Sequence, residues 1–242
     1  IFREKMIPLF NIPKYQIDMN EFSNVINDKI VDRFTENFCE YVGAKHGCGF
    51  NSATNAIFLA MLGKNQKVEI PTLLPHVVLN ALVLSNNEVS FCDDTKWVGD
   101  SYVLHRFETY KIIDSAQKVE KNQFKKEADP NDLMIFSFYP TKPVGSLDGG
   151  MIVSNDPEKI EWFKQAVNNG AKYASNNWEK KIAFPGWKMY LSTVQAKVAE
   201  ENLKVLDDKQ SRIAEVKEKY NSAFGLDRKS TRLNSSHANI SY

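Results

Sequence analysis

Apolar residues along this chain recur at two periods, and the alternation between them lays out the fold. From Asn20 onward, Phe22, Val25, Ile26, Ile30, Phe34, Phe38 and Tyr41 fall at steps of three and four and stop at Gly43, which predicts one amphipathic helix. A short strand then runs into Asn51-Ser52, either of which can cap a helix whose apolar positions are Ala56, Ile57, Leu59, Ala60 and Met61. Val68–Pro71 predicts a strand, Thr72–Leu84 an apolar helix and Glu88–Asp93 another strand. Lys111–Gln117 is an apolar strand that closes on a carboxylate. Leu133–Phe138 and the segment from Met151 are further buried strands, separated by a polar turn and a Gly149-Gly150 break.

Asp156-Pro157 opens the next helix, with Ile160, Phe163 and Val167 on one face and an end near Gly170. Ala171–Phe184 has no clear period and reads as an ordered loop. Pro185–Tyr190 leads into a long helix through Val194, Ala196, Val198, Ala199, Leu203, Val205, Leu206, Ile213 and Val216 toward Tyr220. Strands alternating with helices predict an α/β fold. One interval breaks the rhythm. Only Arg106–Tyr110 separate Ser101–His105 from Lys111–Ile113, whereas a parallel crossover needs about a dozen residues. The two segments form a tight antiparallel pair, or one of them is not a strand. Glu120–Asp132, charged and containing Pro130, reads as a solvated loop or short helix.

Composition narrows the class. With 242 residues, 43% of them apolar, the chain can fill one large domain or one and a half. A net charge of +1 gives no reason to expect nucleic acid or a membrane surface as partner. No apolar run reaches the roughly 18 residues of a membrane span. Cys39, Cys48 and Cys92 are odd in number and lack metal-ligand spacing, so buried thiols in a reducing cytoplasm are expected, and no metal.

Candidate chemistry lies at four places. Lys142 sits in the turn between two core strands, where burial of a cation is costly and the usual outcomes are a lowered pKa or a covalent partner. It reads either as a Schiff-base lysine for pyridoxal phosphate or as a surface lysine at a hairpin tip. Asp114, at the carboxyl end of a buried strand, needs a hydrogen-bonding or cationic partner; a protonated pyridine nitrogen would serve, and so would a role as a helix cap. Ser52 and Ala53 leave the backbone N–H groups of a helix start open to an anion, in a place where an ordinary capped helix is the plainer reading. His76 stands at the start of a helix that follows a strand, where open α/β sheets place ligands.

Taken in order, Asn51-Ser-Ala-Thr-Asn-Ala56, Ile113-Asp-Ser-Ala-Gln117, Ser137-Phe-Tyr-Pro-Thr-Lys142 and Asp148-Gly-Gly150 resemble the successive motifs of the DegT/StrS sugar aminotransferases, which are fold type I pyridoxal phosphate enzymes. The resemblance runs from about Met6 to Tyr220. It implies the large domain of that fold, a mostly parallel mixed sheet between helices, with the small C-terminal domain largely missing. It also implies pyridoxal 5'-phosphate on Lys142, which would then move protons between cofactor and substrate carbons. Asp114 would pair with the pyridine nitrogen and Gln117 with the ring hydroxyl. Ser137, Ala53 and Thr54 would hold the phosphate, and His76 would cover the ring. The implied reaction converts a nucleotide-linked keto sugar to an amino sugar for polysaccharide or glycan synthesis, with glutamate as donor, in a cytoplasmic homodimer.

Where this family commonly has Asn and Arg, the chain reads Gly186-Trp-Lys-Met-Tyr190. In the family that asparagine reaches the partner subunit's phosphate, so either Lys188 replaces it as a cation or the contact is lost. Relatives with histidine in place of the lysine dehydrate their substrates, so Lys142 favours amino transfer over a dehydratase-like reaction. An inactive, shortened fragment of the fold is the third reading. The expected organisation is an N-terminal segment over 1–19, a cofactor-binding large domain over 20–200 and the start of a connecting helix or small domain over 201–226. Met6 resembles a true start, and 227–242, beginning Asp227-Arg-Lys-Ser-Thr-Arg232, resembles the translation of a sequencing adapter.

Overall fold

The computed structural model describes residues 15–24, 28–172 and 181–224, the side chain of Phe224 excepted. Its elements in chain order are α1 (Lys29–Val42), β1 (His46–Phe50), α2 (Ala53–Met61), β2 (Lys67–Pro71), α3 (His76–Leu84), β3 (Glu88–Cys92), β4 (Tyr102–Arg106) and β5 (Lys111–Asp114). They continue with α4 (Gln123–Glu127), β6 (Leu133–Ser137), β7 (Gly150–Ser154), α5 (Pro157–Ala166), α6 (Thr193–Lys204) and α7 (Leu206–Phe224). Five strands form one sheet in the order β1-β7-β6-β5-β4, and β2 and β3 form a parallel pair. β2 packs alongside β4.

Period-two alternation divides the sheet's side chains between two cores. Ile112, Leu133, Ile135 and Ile152 point to the face covered by α2, α3 and α5. Their neighbours Ile113, Met134, Phe136, Met151 and Val153 point to the face covered by α1 and α6. Phe34 and Phe38 of α1 meet Phe136 and Phe138 edge-on, at centroid distances of 5.0 to 5.2 Å. On the same side, Arg33 forks onto the buried carboxylate of Glu200, Nε to Oε1 at 2.5 Å and Nη2 to Oε2 at 2.7 Å, which ties α1 to α6. The result is a three-layer α/β/α sandwich, as the alternation of periods predicts.

Parallel pairing is less extensive than expected. Among the described strands it holds for β5–β6 and β2–β3, while β1–β7, β6–β7 and β4–β5 are antiparallel. The β4–β5 hairpin is the antiparallel alternative that the short Arg106–Tyr110 interval leaves open, because so few residues cannot return the chain to the same end of the sheet.

Helix boundaries also differ from the apolar pattern. The first helix begins at Lys29, not near Asn20. The Asp28 carboxylate accepts from Ser23 N, Ser23 Oγ, Asn24 N and Ile30 N, and this knot of local bonds competes with helix and fixes the N-cap; Val25 and Ile26 lie outside the described residues. The helix expected from Thr72 starts at His76, since a residue before proline avoids the helical region and Pro75 therefore stops Thr72–Leu74 from joining it. Ser192 opens α6 with a capping box closed by Gln195, and the long C-terminal helix breaks at Val205 into α6 and α7. Ile213, Val216 and Tyr220 on α7 are exposed. Within the loop expected over Ala171–Phe184, residues 173–180 lie outside the described residues, as do 1–14 and everything from 225 onward.

One glycine holds sheet and helix in close approach. A Cβ on Gly150, the first residue of β7, would stand 2.6 Å from Ala53 N and 3.0 Å from Phe136 O, all backbone that cannot swing away. Gly150→Ala is expected to cost about 1–3 kcal/mol of stability through overpacking, measured by urea unfolding, and to push the start of α2 off the sheet.

Candidate active site

A cavity of about 400 Å³ opens at the carboxyl ends of β5 and β6, the edge where α/β sheets bind ligands. The first turns of α2 and α3 and the loop from β6 to β7 complete its wall. That loop carries Lys142 and is tied down by its own backbone: Phe138 N donates to Gly149 O at 2.9 Å, Ser146 N to Phe138 O at 2.7 Å and Lys142 N to Tyr139 O at 2.8 Å. The turn is thus a fixed platform, not a free hairpin tip. Burial pushes the Lys142 amine below the usual lysine range, and the Asp114 carboxylate pulls it part of the way back.

Asp114 ends β5 and is 3% exposed. Its Oδ2 accepts from Tyr102 Oη at 2.8 Å and its Oδ1 from Ala116 N at 2.9 Å. Burial raises its pKa above the usual carboxylate range, and the Ala116 and Tyr102 donors and the Lys142 charge reduce the shift without cancelling it. Gln117 is held by its carbonyl, Oε1 accepting from Gly99 N at 2.7 Å. Ser137 ends β6 and its Oγ accepts from Tyr139 N at 3.3 Å.

The Ser52 hydroxyl caps α2 by accepting from Asn55 N. The amides of Ala53 and Thr54, in the first turn, have no acceptor within the helix and stand in the cavity wall. His76 stands in the wall as well, exposed at the start of α3. The fold therefore gathers Lys142, Asp114, Gln117, Ser137, Ala53, Thr54 and His76 into one cavity. Lys188 is elsewhere: it is exposed, its backbone bridges Asn168, and it takes no part in the cavity wall. Sequence reasoning missed Tyr102, Trp97 and Asp148, which also line the cavity. Asp148 was visible as part of a motif but without a role; burial raises its pKa, against a bond from Gly149 N.

A model of the DegT/DnrJ/EryC1/StrS aminotransferase family matches residues 15–96 and 105–239. The chain belongs to that family. Among curated proteins it is 29% identical, over 86% of its length and 67% of the relative's, to UDP-4-amino-4,6-dideoxy-N-acetyl-beta-L-altrosamine transaminase of Campylobacter jejuni subsp. jejuni serotype O:23/36 (strain 81-176). It is 27% identical, over 80% of its length and 61% of the relative's, to the spore coat polysaccharide biosynthesis protein SpsC of Bacillus subtilis (strain 168). Among solved structures, Helicobacter pylori PseC, an aminotransferase involved in the biosynthesis of pseudoaminic acid, has the same fold, with a TM-score of 0.66 at 20% identity over 86% of this chain and 66% of that one. This member of the DegT/DnrJ/EryC1/StrS family spans about two thirds of the length of these relatives.

Aminotransferases of the family depend on pyridoxal 5'-phosphate, and the donor set of the cavity fits that group. A primary amine with a lowered pKa matches its aldehyde. A buried carboxylate matches its ring nitrogen, and the N-terminus of α2 matches its phosphate.

Proposed function

We propose that this chain is an aminotransferase that uses pyridoxal 5'-phosphate to convert a nucleotide-linked keto sugar to an amino sugar, with glutamate as the donor, in polysaccharide or glycan synthesis. The observation that carries the reading is the pairing of Lys142 and Asp114 in one cavity, each perturbed by burial and each acting on the other's charge. The likeness to a sugar-nucleotide transaminase supports the substrate class.

Bound there, pyridoxal phosphate supplies an electron sink for the carbon next to the exchanged nitrogen. The chain's own residues do the rest. Lys142 would hold the cofactor and would carry the proton between the two carbons, a task suited to an amine whose pKa burial has lowered. Asp114 stays ionised to hold a proton on the ring nitrogen. Gln117 and Ser137 orient the ring and phosphate, Ala53 and Thr54 offer their amides to the phosphate, and His76 covers the ring face. We further infer a cytoplasmic homodimer. Its support is the exposed Lys188, outside its own cavity where a partner's phosphate could reach it, and three thiols free of disulfides, as a reducing compartment requires.

The test is a half-reaction. The full chain loaded with pyridoxal phosphate should lose its visible absorption band on addition of glutamate and release one equivalent of 2-oxoglutarate. A panel of nucleotide-linked keto sugars should then restore the band. A loaded protein whose band no amino acid changes would rule out amino transfer.

A further inference from the structure

We propose that Tyr102 is a positioning residue for the cofactor-binding carboxylate, its hydroxyl fixing Asp114 from behind so that the carboxylate meets the ring nitrogen as an oriented anion. The inference rests on the cofactor reading of the cavity. The geometry is closed on both oxygens: Tyr102 Oη donates to Oδ2 at 2.8 Å and Ala116 N to Oδ1 at 2.9 Å, so rotation of the carboxylate breaks at least one of two charge-assisted bonds. Trp97 packs edge-on to the Tyr102 ring at a centroid distance of 6.3 Å and is itself buried, its Nε1 donating to Asp94 O at 3.0 Å. Asp114 is buried, and a donor facing a buried anion counts for more than one facing an anion in water.

Strand register explains how a tyrosine comes to this place. In the β4–β5 hairpin Tyr102 lies directly across from Asp114, so their side chains share a face. The pairing depends on an irregularity between Val103 and His105 that inserts one residue, Leu104, whose side chain is buried in the core. Continued from Arg106↔Lys111 without that insertion, the register would set Val103 across from Asp114, and valine has no hydrogen to give. Tyr102, the first residue of β4, falls in the interval between the two stretches that match the family model, 15–96 and 105–239. Burial and the neighbouring Asp114 charge both push the Tyr102 hydroxyl well above its ordinary pKa. It therefore keeps its proton at working pH and serves Asp114 as a donor.

The experiment is a double-mutant cycle with a spectroscopic arm. In the cofactor-free full chain, carboxyl-carbon NMR follows the Asp114 titration, with Lys142, His76, Asp100, Asp148, Tyr139 and Tyr102 itself as the other ionisable groups on the wall. Tyr102→Phe keeps the ring and its Trp97 contact and removes the donor; it should move the Asp114 titration to higher pH. Pyridoxal phosphate affinity, read by equilibrium dialysis, should weaken about tenfold in Tyr102→Phe, the worth of one charge-assisted bond. In an Asp114→Asn background the same substitution should change affinity little, because there is no anion left to hold. An unmoved Asp114 titration, or an equal loss of affinity in both backgrounds, overturns the proposal and makes Tyr102 a packing residue. A wild-type chain that takes up no cofactor overturns the cofactor reading instead, and the proposal with it.

Discussion

Lys142→Ala is expected to remove the covalent cofactor and to lower amino transfer by at least two to four orders of magnitude, the range for losing a positioned acid–base group, with loss of the attachment point adding to it. Among the described residues of the cavity wall Lys142 is the sole lysine, so no neighbour can take over. Lys118, close by, is committed to Asp100 at 2.9 Å and Glu127 at 2.7 Å. Two measurements check this. Borohydride reduction of the loaded wild type should fix the cofactor to the peptide that contains Lys142, and the variant should show no such mass increment. The variant should also lack the visible band while binding some cofactor through Asp114 and the α2 N-terminus. The sign of the pH dependence follows from burial. Attachment needs the neutral amine, and a pKa below the lysine range enlarges the neutral fraction at any pH beneath it. Covalent uptake should accordingly persist to lower pH than condensation with a free lysine. If uptake followed the free-lysine curve, the buried-amine account would fail.

The layers of this fold are legible in the chain because they rest on period alone. Leu133–Ser137 alternates between two cores, as do Met151–Val153, and the sheet needs nothing else to find its helices. The candidate site is legible where it follows strand ends: Asp114 and Ser137 close β5 and β6, and the turn bearing Lys142 lies between two buried strands. What stayed hidden depends on register and on competing local bonds. The interval Arg106–Tyr110 is short enough to exclude a parallel crossover and leave a hairpin as one of two readings, but an unbroken register opposes Val103 to Asp114, and only the Leu104 insertion brings Tyr102 there. The early end of the first apolar stripe at Asp28 belongs to the same class, since periodicity takes no account of a carboxylate that collects four local donors. Lys188 could be aligned to a motif but not placed. On α7 the pattern promised burial for Ile213 and Val216, and among the described residues both remain about half exposed.

Asp114→Asn should cost amino transfer roughly two to three orders of magnitude while making the cofactor-free protein more stable near neutral pH. The catalytic loss is the cost of leaving a buried charge unpaired, about 3–5 kcal/mol, and should fall on kcat more than on KM because it concerns the reacting ring, not sugar binding. The gain in stability follows from linkage. Burial has raised the folded pKa of Asp114 above its unfolded value, so between the two the folded state holds the extra proton and stability falls as pH rises through that window. Above the folded pKa the penalty is present in full; as pH falls back through the window it is relieved. Asparagine removes the charge and keeps the shape: its oxygen can accept from Ala116 N, and its nitrogen can donate to the Tyr102 hydroxyl. The thermal midpoint of the cofactor-free variant should exceed that of wild type at pH 7 and converge on it in acid. A variant that lost both activity and stability would show Asp114 to be a structural anchor. A gain in stability with loss of activity is what a carboxylate kept ionised for a ring nitrogen requires, because the cofactor that rewards the charge is absent while the chain folds.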